Sequence, residues 1–227
     1  VFAISQLAFS PEGDRLAASL YGEFGRILII DIGTGAILLE ISLPAARAIA
    51  WGANGDWVAG IYEYYPLITA GPDGFIGVWN TTTGEEINQY LIGRVPIDID
   101  GHPTNETVIF PSPSNEITVW NVAQWQELYT TIPADERGVT SVAWSPDGTN
   151  FASVGADNIV RIWDELGELL LELDAGFLEH VFPEVFWSPD DIWVGVTFES
   201  QIKVWDANTG ELVFDHDVGE SITGSVM

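Results

Sequence analysis

The 227-residue chain has no cysteine. Disulfides, thiolate metal sites and a cysteine nucleophile are all excluded, while the compartment stays open. Basic residues are nearly as scarce: Lys and Arg number 7 against 34 acids, Lys203 is the sole lysine, and the formal net charge is -27. Such a field repels duplex DNA and anionic membrane surfaces, so the expected partners are other proteins, basic segments among them, and not nucleic acid. Long apolar runs are missing too. The richest stretch, "RILIIDIGTGAILLEI" (26–41), is interrupted by Asp31, Glu40 and two glycines, and no membrane insertion is expected.

What is present is apolar residues at 47%, 23 glycines, 12 prolines and 10 tryptophans. That is enough to bury a core and to punctuate many short strands. The segments "SVAWSPDGTNFASVGADNIVRIWD" (141–164), "QLAFSPEGDRLAASLYGEFGRILIID" (6–31) and "EVFWSPDDIWVGVTFESQIKVWD" (184–206) repeat one plan. Each has an alternating strand, a Ser-Pro-acid-Gly turn or close variant, a small-residue strand, a polar turn and a third strand. After a glycine comes a fourth: "GELLLEL", "GELVFDH", "GAILLEI". Strands this short and evenly spaced predict antiparallel meanders with almost no room for helices. Trp79, Trp120, Trp163 and Trp205 recur every 41 to 43 residues, the period of four-stranded propeller blades. A lone blade exposes its apolar faces; stacking hides them, and closing a ring removes the edges.

The third strands "IVRIWD", "IKVWD", "IGVWN" and "ITVWN", each with its preceding turn, resemble the WD40-repeat family over nearly the whole chain, in a divergent, bacterial-like form. The resemblance implies an all-β propeller of four-stranded antiparallel blades, one domain over residues 1–227, with seven blades and parts missing near Tyr65/Pro66 and after Met227. It also implies a repeated hydrogen-bond network, matched here by Ser153, Asp157 and Trp163 in one repeat and by Thr69, Asp73 and Trp79 in an earlier one. The family's Gly-His pair has no counterpart, because Gly101-His102 follows an innermost strand instead of preceding one.

The expectation of missing parts comes from one place. "GDWVAGIYE" (55–63) matches "GDRLAASLY" (13–21) as a second strand, yet "LITAGPDGFIGVWN" (67–80) aligns on "FASVGADNIVRIWD" (151–164), which also opens with one. Either a single blade carries a long second strand or a short inserted loop, or roughly 35 residues are absent between two repeats. Counting innermost strands as 7–9, 49–51, one absent, 97–100, 141–144, 185–187 and 221–226 favours the second alternative.

Chemistry is sparse. Asp98 and Asp100 in "DID", Asp215 and Asp217 in "DHD", and Asp190-Asp191 are acids of the kind that serve hard cations or glycoside hydrolysis. No opposed carboxylate can be placed for the first, and His216 points away from its flanking Asp residues in the second. No cofactor, metal or catalytic residue is assigned, and an enzyme is not expected. Most tryptophans fall at repeat-fixed core positions; Tyr62, Tyr64, Tyr65 and Trp125 lie off the pattern and are the candidate partner contacts. The expected function is a protein-interaction scaffold or a subunit of a larger assembly. The alternative is an extracytoplasmic carbohydrate-binding or hydrolysing propeller using channel carboxylates. Composition leans toward a bacterial surface or periplasm over the cytoplasm.

Overall fold

The computed structural model describes residues 3–22, 25–64, 73–93, 96–131, 138–176, 182–198 and 200–217. Among them the chain forms twenty strands and no helix. Blade 1 is β1 (Ala3–Phe9), β2 (Arg15–Tyr21), β3 (Arg26–Asp31) and β4 (Ile37–Ser42). Blade 2 is β5 (Ala46–Trp51), β6 (Trp57–Tyr64), β7 (Asp73–Asn80) and β8 (Glu86–Gly93). Blade 3 is β9 (Asp100–Gly101), β10 (Thr107–Pro111), β11 (Ile117–Asn121) and β12 (Gln126–Thr130). Blade 4 is β13 (Val139–Trp144), β14 (Asn150–Gly155), β15 (Ile159–Asp164) and β16 (Leu169–Asp174). Blade 5 is β17 (Glu184–Trp187), β18 (Trp193–Phe198), β19 (Gln201–Asp206) and β20 (Leu212–Asp217). Each is a four-stranded sheet in chain order.

The described residues thus hold five blades and not seven. The correction rests on strand register. β6 and β7 pair antiparallel without a break from Trp57↔Asn80 to Tyr64↔Asp73, so "WVAGIYEY" is the second strand and "DGFIGVWN" the third strand of one blade. No strand trio is missing between them. Thr69, Tyr65 and Pro66 lie outside the described residues, as does 221–226, counted above as an innermost strand. The segment 97–100 is also shorter than expected, with only Asp100–Gly101 in β9.

The turns show why the strands end where they do. After the first strand, the Ser10, Ser145 and Ser188 hydroxyls accept from the amides of Arg15 (3.0 Å), Asn150 (3.0 Å) and Trp193 (2.9 Å). The same hydroxyls donate to Asp14, Asp147 and Asp190. In blade 3 His102 stands in the serine's place, its Nδ1 accepting from Thr104 and Asn105 N. After the third strand, Asp31, Asn80, Asn121 and Asp206 each accept from the amide three residues on. These are side chain–backbone turns, and they satisfy amides that the ladders leave unpaired.

These caps depress carboxyl pKa values. The Thr34 hydroxyl and amide hold Asp31 below its ordinary 3.8. The Thr209 amide and hydroxyl do so for Asp206, and the Ser188 hydroxyl and Ile192 amide for Asp190. For Asp147, burial pulls upward but bonds from Thr149 and Ser145 outweigh it. A depressed folded pKa contributes stability that is complete above the unfolded value and is lost as pH falls through the folded one. Urea midpoints are therefore expected to fall as pH drops below about 4. Asp31→Asn, which copies Asn80 and Asn121, should flatten that dependence; an unchanged profile would show that these caps do not couple to folding.

By contact density the chain divides into two compact units, residues 1–108 with 121–126, and 109–120 with 127–227. In the first, the core lies between blades 1 and 2: Ala17, Ile27 and Ile29 meet Ile49, Trp51, Val58 and Trp79. In the second, one core joins Ile109, Ile117 and Val119 to Val142, Trp144, Phe151 and Trp163. Another joins Ala152, Val154, Val160 and Ile162 to Val185, Val194, Val196 and Trp205. Strand alternation explains the arrangement: in β13, Val142 and Trp144 point to one neighbour while Ala143 points to the other. Each fully buried side chain of this size is worth about 1.5–3 kcal/mol, so the interfaces between blades hold most of the stability.

Candidate functional site

In blade 4, Phe151 pairs with Trp163 and Ser153 with Arg161 across β14 and β15. Trp163 is fully buried, its ring stacked 6.2 Å from Phe151, and its indole N–H donates to the Ser153 hydroxyl at 2.9 Å. Asp157 turns to Arg161 Nη2 at 2.8 Å and caps the Ile159 amide, while Arg161 also reaches Glu172.

The earlier repeat is built differently. The β6–β7 register sets Val58 opposite Trp79 and Gly60 opposite Gly77, so Gly60 occupies the position that Ser153 holds in blade 4, while Thr69 lies outside the described residues. A Cβ at Gly77 would run into the Trp79 ring, and one at Gly60 would meet Ile27 Cδ1 at 2.9 Å and press on the Trp79 ring at 3.2 Å. Blade 2 replaces the hydroxyl acceptor with space for the indole. The Asp73 backbone belongs to β7.

Of the candidate contacts, Tyr62 is corrected. It is buried, its ring stacked 5.5 Å from Phe75 and tilted 5.9 Å from Trp79. Burial and the nearby Glu86 push its pKa up to about 12. Strand alternation turns this tyrosine inward, and it serves the core. Tyr64 ends β6.

Trp125 is half-buried in the turn between β11 and β12, with φ at 56°. It is the fourth residue after Asn121. Gly35, Gly84 and Gly210 hold the same place after Asp31, Asn80 and Asp206, with φ of 71°, 74° and 72°; in the shorter blade 4 turn Gly167 plays the part at 85°. Left-handed backbone costs glycine nothing and costs a side-chain-bearing residue about 1–3 kcal/mol. Blade 3 alone of the five puts a large aromatic residue there.

The acids singled out in the sequence have separate partners among the described residues. Asp98 accepts from Gln6 Nε2 at 3.0 Å and from the Ile99 amide, and Gln6 in turn accepts from the Ile49 amide at 2.7 Å. Asp100 accepts from the Gly101 amide. Asp215 pairs with Lys203 at 3.4 Å. Among the described residues no cluster of acids and histidines has the geometry to hold a metal ion. Sequence reasoning missed the buried Glu63, which pairs with Arg47 while that guanidinium lies over the Tyr21 ring. It also missed Arg15, which stacks on Trp51 and donates to Thr81 and the Gly55 carbonyl.

Residues 126–164 match the family model described as WD domain, G-beta repeat, and among the described residues the third strands of blades 2 to 5 carry the same indole near their ends, at Trp79, Trp120, Trp163 and Trp205. Among curated proteins the chain is 33% identical over 106 residues to the small ribosomal subunit protein RACK1y of Oryza sativa subsp. japonica, covering 46% of this chain and 30% of that one. It is 37% identical over 90 residues to the small ribosomal subunit protein RACK1 of Medicago sativa, covering 39% and 27%. With coronin-7 of Rattus norvegicus it shares 28% over 142 residues, 57% of this chain and 15% of that one. The matched region spans less than a third of the length of these relatives.

Proposed function

We propose that the chain is a non-enzymatic scaffold that binds proteins through its turns, with basic segments as the preferred partners and Trp125 as a contact residue. The observation that carries the reading is the backbone at Trp125. A left-handed turn position that four blades give to glycine holds a tryptophan in the fifth, at a cost in stability, and strain kept at one surface position points to use. Tryptophan is also the residue most enriched among binding hot spots. The formal charge of -27 supplies the sign of the partner. The relatives named as small ribosomal subunit proteins support membership of a larger assembly.

The test is anisotropy titration of a labelled arginine-rich peptide, with a glutamate-rich peptide as control. The basic peptide is expected to bind and to weaken with salt, and Trp125→Gly to lose affinity by about 10-fold or more, the size of a hot-spot loss. Trp125→Gly should also be about 1 kcal/mol more stable than Trp125→Ala, because both lose the ring but only alanine keeps the strain. Equal binding of the two peptides would sink the preference for basic partners. Undiminished binding by Trp125→Gly would remove the residue from the contact.

A further inference from the structure

We propose that β8 receives a strand from a partner: an extended, basic segment of another protein pairs with its outer edge and becomes a fifth strand of blade 2. β8 is last in the order β5-β6-β7-β8, so among the described residues no strand lies on its far side. An outer edge of this kind offers a row of backbone groups to any extended chain, and proteins guard such edges with charge. Blade 2 lacks that guard.

In three blades the guard is an ion pair between the third and fourth strands. Glu40 in β4 pairs with Arg26 at 2.6 Å, Glu172 in β16 with Arg161 at 2.9 Å, and Asp215 in β20 with Lys203 at 3.4 Å. The registers Leu28↔Glu40, Arg161↔Glu172, Lys203↔Asp215 and Gly77↔Gln89 put Gln89 in the place of the three acids. In blade 3, β12 carries Glu127. From Ile87 to Gly93, β8 carries no charge at all.

Apolar surface stands there instead. Ile87 is 55% exposed, Tyr90 41% and Leu91 53%. The Gln89 amide donates to Asn88 Oδ1 at 3.0 Å, the local bond a polar side chain supplies where a ladder does not. At eight residues β8 is also longer than the other described outer strands, which have five or six. A strand laid along it would exchange the Asn88 bond for backbone pairing and cover Tyr90 and Leu91, which alternate to opposite faces.

Charge selects the occupant. Residues 73–93 hold Asp73, Glu85 and Glu86 and no Lys or Arg. Two β8 edges brought together would set one chain of charge -27 against another, so a second copy is disfavoured. A segment with apolar residues beside Tyr90 and Leu91, and Lys or Arg beside Glu85 and Glu86, gains from both kinds of contact. In strand addition the backbone bonds give affinity and the side chains give choice of partner. The basic sign of the occupant rests on the function proposed above, whereas the open edge rests on β8 alone.

The test uses a short labelled peptide of alternating valine and threonine with arginines at one end, and a copy N-methylated at its central amides. The copy keeps charge and side chains but cannot pair as a strand. The first peptide is expected to bind, and the methylated one to bind about 10-fold or more weakly. Hydrogen exchange should slow at 87–91 on binding and stay unchanged in β4 and β16. Leu91→Gln, at an exposed position, should leave the melting temperature unchanged and weaken the first peptide about 10-fold. Equal binding of the two peptides, or protection that spares β8, would overturn strand addition while leaving the preference for basic segments intact. A glutamate-ended peptide that protected β8 equally well would overturn the basic occupant. Self-association of the chain with β8 protected would do the same, since a second copy would then hold the edge.

Discussion

Trp163→Ala is expected to remove about 3–5 kcal/mol of stability, a large share of what a domain of this kind possesses. The ring is fully buried and sits in one core with Trp144, Phe151, Ile117 and Val119, so its loss opens a cavity that several strands would have to collapse to fill. Strands pinned on both sides by ladders do so poorly, which places the cost at the upper end of large-to-small substitutions. The hydrogen bond can be separated from the volume. Ser153→Ala leaves the ring in place and removes the acceptor 2.9 Å from its N–H. An indole N–H left without that acceptor in a buried site costs about 1–3 kcal/mol. Trp163→Phe in the Ser153→Ala background should therefore cost less than in the native background, and urea denaturation of the four proteins gives the coupling. Additive losses would mean that the indole N–H gains nothing from Ser153 in solution.

Blades 4 and 5 were legible in the sequence almost strand by strand, because each strand is closed by a turn whose mechanism is local. Ser145, Asp147 and Gly148 make the first turn within six residues, and Asp206 with Thr209 makes the last within four. Blade 2 was not, because the partner of a strand is a long-range fact. "WVAGIYEY" and the start of "LITAGPDGFIGVWN" both read as small, apolar second strands, and nothing inside either segment says that "WVAGIYEY" and "DGFIGVWN" belong to one sheet. The register from Trp57↔Asn80 to Tyr64↔Asp73 says it at once. The same limitation produced the error at Tyr62: three neighbouring tyrosines suggested a surface cluster, but pairing with Phe75 turns the first into the core. For Trp125 the signal was in plain sight. Gly35, Gly84, Gly167 and Gly210 close the corresponding turns, and aligning the turns as well as the strands shows the tryptophan breaking that column.

Gly101→Ala should be nearly as damaging for the opposite reason, the addition of an atom where none fits. A Cβ on Gly101 would lie closer than 3.0 Å to the carbonyl oxygen of Trp51, with the Ala50 Cβ 3.7 Å away. The obstacle is backbone in the first strand of blade 2, held by its own ladder to β6, so it cannot rotate aside as a side chain would. β9 is only two residues long, and the chain leaves it immediately through the His102 amide bonded to the Thr107 carbonyl at 2.9 Å. The strain therefore falls on the weakest strand of the fold. Overpacking of this kind costs about 1–3 kcal/mol, and more when neither side can shift. Gly33→Ala is the matched control: it is exposed, its φ is not positive, and its Cβ would meet only Asp31 Oδ1 at 3.6 Å. It should change stability by no more than about 0.5 kcal/mol. Hydrogen exchange should show the Gly101→Ala damage as faster exchange in β9, β10 and β5, with blades 4 and 5 unaffected. Equal effects from the two substitutions would mean that β9 and β5 do not approach as closely as their backbones indicate.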